Sequence, residues 1–349
     1  MDNTMRPDYK KLINAALTDF INNYWRRANL SRIGSSLPNA LREFILRDGK
    51  RIRPLLFLLS YQGYANVPRV PPAMITCAGS FELLHDFLLI HDDIIDNSPL
   101  RRGKPTLHKV LQRQLRQTDK IGTDLAIVAG DIVYAMAVDA FLAAPESCAN
   151  RTEALRFFLQ TTALTGAGEY IDVLNGLRRL PAVGKKSIRL NYLLKTAEYT
   201  FKAPLVCGCL LANGYRPDIA KLSRYAETLG VAFQIQDDLI GLFSDSATIG
   251  KSVLSDIKEA KKTLPLFYAY QRSGAATRKF LAQCVGNRKL TFPELRKIQK
   301  IVIAAGARDT ATADLRRLLR QADKLLAELH LAADLKQQLT VAVDTFIKR

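Results

Sequence analysis

Residues 120–143, KIGTDLAIVAGDIVYAMAVDAFLA, are apolar on nearly every side of a helical wheel. A helix that is hydrophobic all round has little face to give to solvent, so it belongs near the centre of a larger helical assembly. The flanking sequence carries the same period. Residues 8–27 place Leu12, Ile13, Ala16, Phe20 and Ile21 at 3–4 spacing. Residues 71–98 open on Pro71-Pro72 and stop before Pro99, the boundaries of one long helix. Further helical stretches are expected over about 150–175, 186–200, 203–213, 216–244, 263–272, 291–304 and 310–347. Two-residue alternation is nearly absent. The loop signals after Ser98-Pro99, at 176–185 and at 245–256 are too short to be linkers. The reading is a single all-α domain over residues 1–349, built around buried helices.

Composition agrees. Apolar residues make up 48% of 349, which supports a large core and excludes global disorder. Fifty-one Lys and Arg against 33 Asp and Glu leave a net charge of +18. Such an excess points to an anionic partner (phosphates, nucleic acid or a membrane surface) or to a solvated basic surface. The five cysteines, at 77, 148, 207, 209 and 284, form no CxxC pair, which argues against a zinc or disulfide framework and fits a reducing cytoplasm. The N-terminus lacks an apolar core, so no signal peptide is expected. No uninterrupted apolar run approaches about 18–20 residues, so no transmembrane helix is expected either.

Acids gather where apolar helices end. In HDFLLIHDDIID (85–96), Asp92 and Asp96 are one turn apart on one helix face, and His85 shares that face two turns earlier. Acid near a helix C-terminus opposes the helix dipole, so a cation is needed there. Paired carboxylates suit Mg²⁺, a hard ion that keeps waters and accepts phosphate oxygens. Arg101 and Arg102 follow directly and suit oxyanions. A second acidic pair, Asp237-Asp238, closes FQIQDD (233–238), with Lys251, Asp256, Lys261 and Lys262 downstream. The GKS at 250–252 is not a P-loop, because Asp245 stands where its first glycine is required. In DGKRIRP (48–54), Lys50, Arg51 and Arg53 lie beside a glycine at a helix start and suit a phosphate; short basic runs are otherwise solvated surface. Lys195-Thr196, and Glu169 with Asp172, interrupt apolar helices.

GKRIRP (49–54), DDIID (92–96) with RRGKPT (101–106), KTA (195–197), FQIQDD (233–238) and GKSVLSDIKEAKKT (250–263) together resemble, in order and spacing, the trans-isoprenyl diphosphate synthases of the polyprenyl synthetase family. The resemblance spans about residues 40–270. It implies an all-α bundle around a central cavity between two facing aspartate-rich motifs, usually as a homodimer. It also implies that an allylic diphosphate ionises and alkylates isopentenyl diphosphate. The catalytic set would be Asp92, Asp96, Lys195 and Asp237, with Asp92, Asp96 and Asp237 binding Mg²⁺ as three ions that bridge the diphosphate. Arg101, Lys195, Thr196, Gln234, Lys251 and Lys261 would hold the allylic diphosphate. Lys50, Arg53, His85 and Arg102 would hold isopentenyl diphosphate. The released diphosphate would take the proton, since no side-chain base stands out. Three departures accompany the likeness: Gly241 where a third aspartate is frequent, Glu169 where glutamine is common, and Ala260 for a frequent glycine.

Phe87 lies five residues before Asp92, about 7–8 Å along the helix, and is expected to floor the product tunnel; Leu88 beside it is not aromatic. Among similar proteins that pattern implies C20 geranylgeranyl diphosphate, with C15 farnesyl diphosphate as the alternative. A catalytically silent synthase subunit and an HD-type phosphohydrolase are the other enzyme-fold readings. With only four histidines the phosphohydrolase ligand set is thin. A nucleic-acid binder lacks a reader motif and aromatic interleaving, so no nucleic-acid partner is expected. The basic charge leaves peripheral contact with acidic membranes open, and the C-terminal Ile347-Lys348-Arg349 is expected to fold over the isopentenyl site, as similar tails do.

Overall fold

The computed structural model describes residues 8–101, 103–244 and 254–348. The all-α expectation holds. The helices begin with α1 (Tyr9–Arg27), α2 (Ser36–Ile45), α3 (Ile52–Ala65), α4 (Pro72–Ile95), α5 (Leu107–Gln114), α6 (Asp119–Phe141) and α7 (Arg151–Leu177). After α8 (Lys185–Asn191) comes a π-helix, Tyr192–Lys202, then α9 (Ala203–Leu211) and α10 (Asp218–Phe243). The later long helices are Leu264–Arg272, Ala275–Cys284, Phe292–Ala304, Ala307–Ala327 and Ala333–Asp344. Among the described residues the only strands form a two-residue antiparallel hairpin, β1 (Leu100–Arg101) with β2 (Lys104–Pro105).

Three details differ from the sequence reading. The expected helix over 310–347 is two helices, broken where Leu329 and Leu331 turn inward and are buried. The stretch 186–200 is only partly α-helical; its second half widens into the π-helix. Among the described residues two helices, α4 and α6, do have the length and apolarity of a bilayer span, through windows that tolerate at most two charges. Most of the α4 window is buried inside the protein, whereas α6 leaves more of its surface open.

Contacts gather into two compact units, each assembled from separated stretches. One comprises Met1–Phe158, Ala203–Ile219 and Leu331–Ala342; the other Leu159–Lys202, Ala220–His330 and Val343–Arg349. In the first, α4 packs along α6 and α3 along α9. Phe57, Phe81, Phe141 and Phe158 form its aromatic centre, with centroids 5.0–6.1 Å apart and all four rings fully buried. Each such ring contributes about 1.5–3 kcal/mol through burial. Helices α3 and α9 touch at main-chain distance: a Cβ on Gly208 would stand 2.7 Å from the Phe57 carbonyl, and Ser60 Oγ donates to the Leu205 carbonyl at 2.6 Å. In the second unit, Leu264–Arg272 packs on Ala307–Ala327. There the buried Tyr268 ring carries a polar tie, its hydroxyl donating to Asp314 at 2.6 Å.

Candidate active site

The first cluster stands at the C-terminal end of α4. The helix stops because Asn97 turns left-handed at φ 54°, two residues before Pro99. This leaves Asp92, Asp93 and Asp96 against the dipole, and the β1–β2 hairpin supplies the cation. Arg101 donates through Nη2 to Asp92 Oδ2 and through Nε to Asp93 Oδ1, both at 2.7 Å. Asp92 and Asp96 remain partly exposed, whereas the Asp93 side chain is 1% exposed. Burial pushes the Asp93 carboxyl up to about 7 despite Arg101, and its Oδ2 has no hydrogen-bond partner. The acids singled out from sequence are therefore the two that face outward, and Asp93 is the inner anchor for Arg101. Arg102 lies outside the described residues.

His85 and Arg53 are buried in the same unit, and Lys50 is exposed at the loop before α3. The basic run does not act as three equivalent cations. Arg51 sits at φ 50° and turns inward. Its guanidinium donates to Glu82 at 2.7 Å, Asn14 at 2.9 Å, and the carbonyls of Arg47 and Ile45 at 3.0 and 3.1 Å. Removing one partner of such a buried pair typically costs about 3–5 kcal/mol. Arg51 and Glu82 thus hold the turn that presents Lys50 and Arg53. Nothing in a short basic run distinguishes the inward cation.

Phe87 and Leu88 are half-buried on α4. The Phe87 ring lies 4.7 Å from His91 and 5.1 Å from Tyr134 of α6. Gly130 makes room for this arrangement, since a Cβ there would collide with the His91 ring. Sequence reasoning misses Tyr134, because a tyrosine in an apolar helix carries no signal of its neighbour.

The second cluster belongs to the other unit. The π-helix carries Lys195 and Thr196 and is approached closely by two glycines. A Cβ on Gly168 of α7 would collide with the Lys195 main chain, and one on Gly230 of α10 with Ala197. Lys195 Nζ lies 2.7 Å from Glu169 and 2.8 Å from Asp172. Thr196 Oγ1 donates to Gln234 Oε1 at 2.7 Å, and Gln234 Nε2 donates to Asp238 Oδ1 at 3.0 Å. Asp238 is buried and its carboxyl is raised to about 8 by desolvation, while Asp237 is half-exposed. Lys261 pairs with Glu259 at 2.9 Å and lies 3.8 Å from Asp256. Lys262 is buried, donates to the Ala260 carbonyl at 2.7 Å, and is pushed down to about 8 by desolvation. Lys251 lies outside the described residues. The C-terminal tail reaches this cluster: Gln236 Nε2 donates to the Phe346 carbonyl at 2.8 Å, and Lys348 N–H donates to Gln236 Oε1 at 2.6 Å.

Among the described residues, no three carboxylate, imidazole or thiolate groups converge as a closed metal cage. Outward-facing single acids fit an ion that keeps waters and takes its other ligands from a diphosphate. The polyprenyl synthetase family model matches residues 35–302. The chain belongs to the polyprenyl synthetase family. It is therefore a prenyltransferase. This polyprenyl synthetase is 31% identical over 267 residues to the short chain isoprenyl diphosphate synthase of Methanocaldococcus jannaschii, with 76% of each chain covered. It is 29% identical to the geranylfarnesyl diphosphate synthase of Aeropyrum pernix, over 90% of this chain and 94% of the relative. Among solved structures it resembles a geranylgeranyl pyrophosphate synthase from Corynebacterium glutamicum complexed with isoprenyl diphosphate and magnesium, with a TM-score of 0.88, 27% identity and 98% of each chain covered.

The departures in this polyprenyl synthetase now have physical contexts. Glu169 adds a second carboxylate partner to Lys195. Ala260 occupies the left-handed region at φ 60°, which costs an L-residue about 1–2 kcal/mol and which glycine would occupy without that cost. Gly241 leaves space that Asp256 fills: a Cβ at 241 would stand 2.5 Å from Asp256 Oδ2.

Proposed function

We propose that this polyprenyl synthetase condenses isopentenyl diphosphate with allylic diphosphates of C5 to C15 and stops at C20 geranylgeranyl diphosphate. The observation that carries the product assignment is the Phe87 ring, five residues before Asp92 and backed by Tyr134. Losing diphosphate from carbon builds negative charge on the leaving group, and groups that stabilise this charge more in the transition state accelerate the step. Magnesium ions, when bound, supply most of that stabilisation. Asp92, Asp96 and Asp237 are the carboxylates that would hold them, as three ions. Arg101 orients Asp92. Arg101, Lys195, Thr196, Gln234 and Lys261, with Lys251, would grip the allylic diphosphate. Lys50, Arg53, His85 and Arg102 would grip isopentenyl diphosphate. Apolar helix walls would exclude water from the carbocation, and the departing diphosphate would accept the proton.

The test is incubation of the purified protein with Mg²⁺, isopentenyl diphosphate and each of the C5, C10 and C15 starters, with products read by mass spectrometry. The expected result is a dominant C20 product. A dominant C15 or C25 product would overturn the length assignment, and absence of coupling with every starter would overturn the reaction.

The partner proposed for α6 is a second copy of the chain. Ile121, Leu125 and Val128 are exposed at 4–3 spacing along that helix, and Leu142 is exposed just past its end. A sustained apolar stripe of this kind supports a self-complementary helix face. Light scattering is expected to give twice the chain mass, and a monomer at micromolar concentration would reject the proposal.

A further inference from the structure

We propose that Tyr192 is a positioning residue for the allylic-diphosphate residues, acting through Asp238. The inference rests on the prenyl-transfer reading above. Tyr192 opens the π-helix, three residues before Lys195, and is 4% exposed. Its hydroxyl donates to Asp238 Oδ2 and accepts the Leu264 N–H at 2.9 Å. The other carboxylate oxygen, Oδ1, accepts from Gln234, whose own oxygen accepts from Thr196. The result is an unbroken chain, Thr196–Gln234–Asp238–Tyr192–Leu264, lying within one unit.

The chain joins three sequence motifs. Thr196 belongs to KTA, Gln234 and Asp238 to FQIQDD, and Leu264 directly follows the segment that carries Lys261. Leu264 is also the first residue of the helix Leu264–Arg272, where the N–H groups lack intrahelical acceptors. The Tyr192 oxygen supplies one. A single hydroxyl therefore fixes both the rotation of α10 about its acidic pair and the entry of the lysine-bearing segment into its helix. Asp238 is turned inward by two donors, and Asp237, one residue earlier on the helix, is left as the outward acid. Phenylalanine at 192 keeps the ring and removes both links, and buried polar groups that lose a partner drive local rearrangement.

The experiment compares wild type and Tyr192→Phe in steady-state coupling, with the two substrates varied separately. It also measures calorimetric Kd values for geranyl and isopentenyl thiolodiphosphates, non-ionising analogues, in Mg²⁺. The expected result is a KM and a Kd for the allylic compound raised about tenfold, with the isopentenyl values changed less than twofold. A uniform fall in kcat with both KM values unchanged, or equal shifts for both substrates, would overturn the proposal. Should Tyr192→Phe not fold, Asp238→Ala removes both acceptor oxygens, breaks the same chain and carries the same expected and overturning results. Wild type that couples no starter would count against the prenyl-transfer reading; wild type that couples, with a variant lacking the selective shift, would count against Tyr192.

Discussion

Asp92→Ala is expected to lower kcat for coupling by about a thousandfold, equal to about 4 kcal/mol of transition-state stabilisation. The size follows from what the residue does in the proposed reaction. Charge builds on the leaving diphosphate only as the carbon–oxygen bond breaks, so a carboxylate that holds the neutralising ion is felt mainly in the transition state. The structure adds a second loss. Arg101 is shared between Asp92 and Asp93, and with Asp92 gone it is held by the buried Asp93 alone. The check is initial rates over a Mg²⁺ titration for wild type, Asp92→Ala and Asp92→Asn. Asparagine keeps the shape and removes the charge, so it is expected to recover little. A rate within threefold of wild type in either variant would remove Asp92 from the metal assignment.

Phe87→Ala is expected to lengthen the main product by at least one C5 unit. Five residues of α-helix separate Phe87 from Asp92, about 7–8 Å of rise. The diphosphate end of a growing chain would be held at the Asp92 level, so its tail meets whatever stands at Phe87. Alanine removes the ring, but Tyr134 remains 5.1 Å from where its centre was. The single variant therefore opens a limited step, and Phe87→Ala with Tyr134→Ala is expected to open a further one. Product chain length by mass spectrometry decides. An unchanged C20 distribution in the single variant would show that the floor lies elsewhere.

Much of this is legible in the sequence because it rests on local pattern. The apolar wheel of 120–143 and the proline boundaries of 71–98 correspond to α6 and α4 within a few residues. Asp92 and Asp96 are separable from Asp93 because a one-turn spacing selects one helix face, and the structure leaves Asp93 inside. What escapes depends on distant partners. Helices α2, α5 and Ala275–Cys284 are missed. Of α3 only the start beside DGKRIRP is read, and it begins at a left-handed arginine, a conformation that a non-glycine residue does not announce. Arg51 looks like another phosphate cation because its acceptor, Glu82, lies on a different helix. The widened turns of 192–202 accompany the close approach of Gly168 and Gly230, which no local propensity reports. Tyr192 is invisible for the same reason: its two partners are 46 and 72 residues away in sequence.

The space beside Gly241 changes what counts as a missing acid. Read down a column of characters, a glycine there is a deletion of function. Read in three dimensions, the Asp256 carboxylate stands in the volume that a side chain at 241 would occupy. The negative charge is supplied to that spot by a different stretch of the chain. Positions 241 and 256 therefore behave as one two-part trait, in which a larger residue at the first is compatible only with a retreat of the second. Whether such a chain is whole or degenerate is a question about the pair, and neither letter answers it alone.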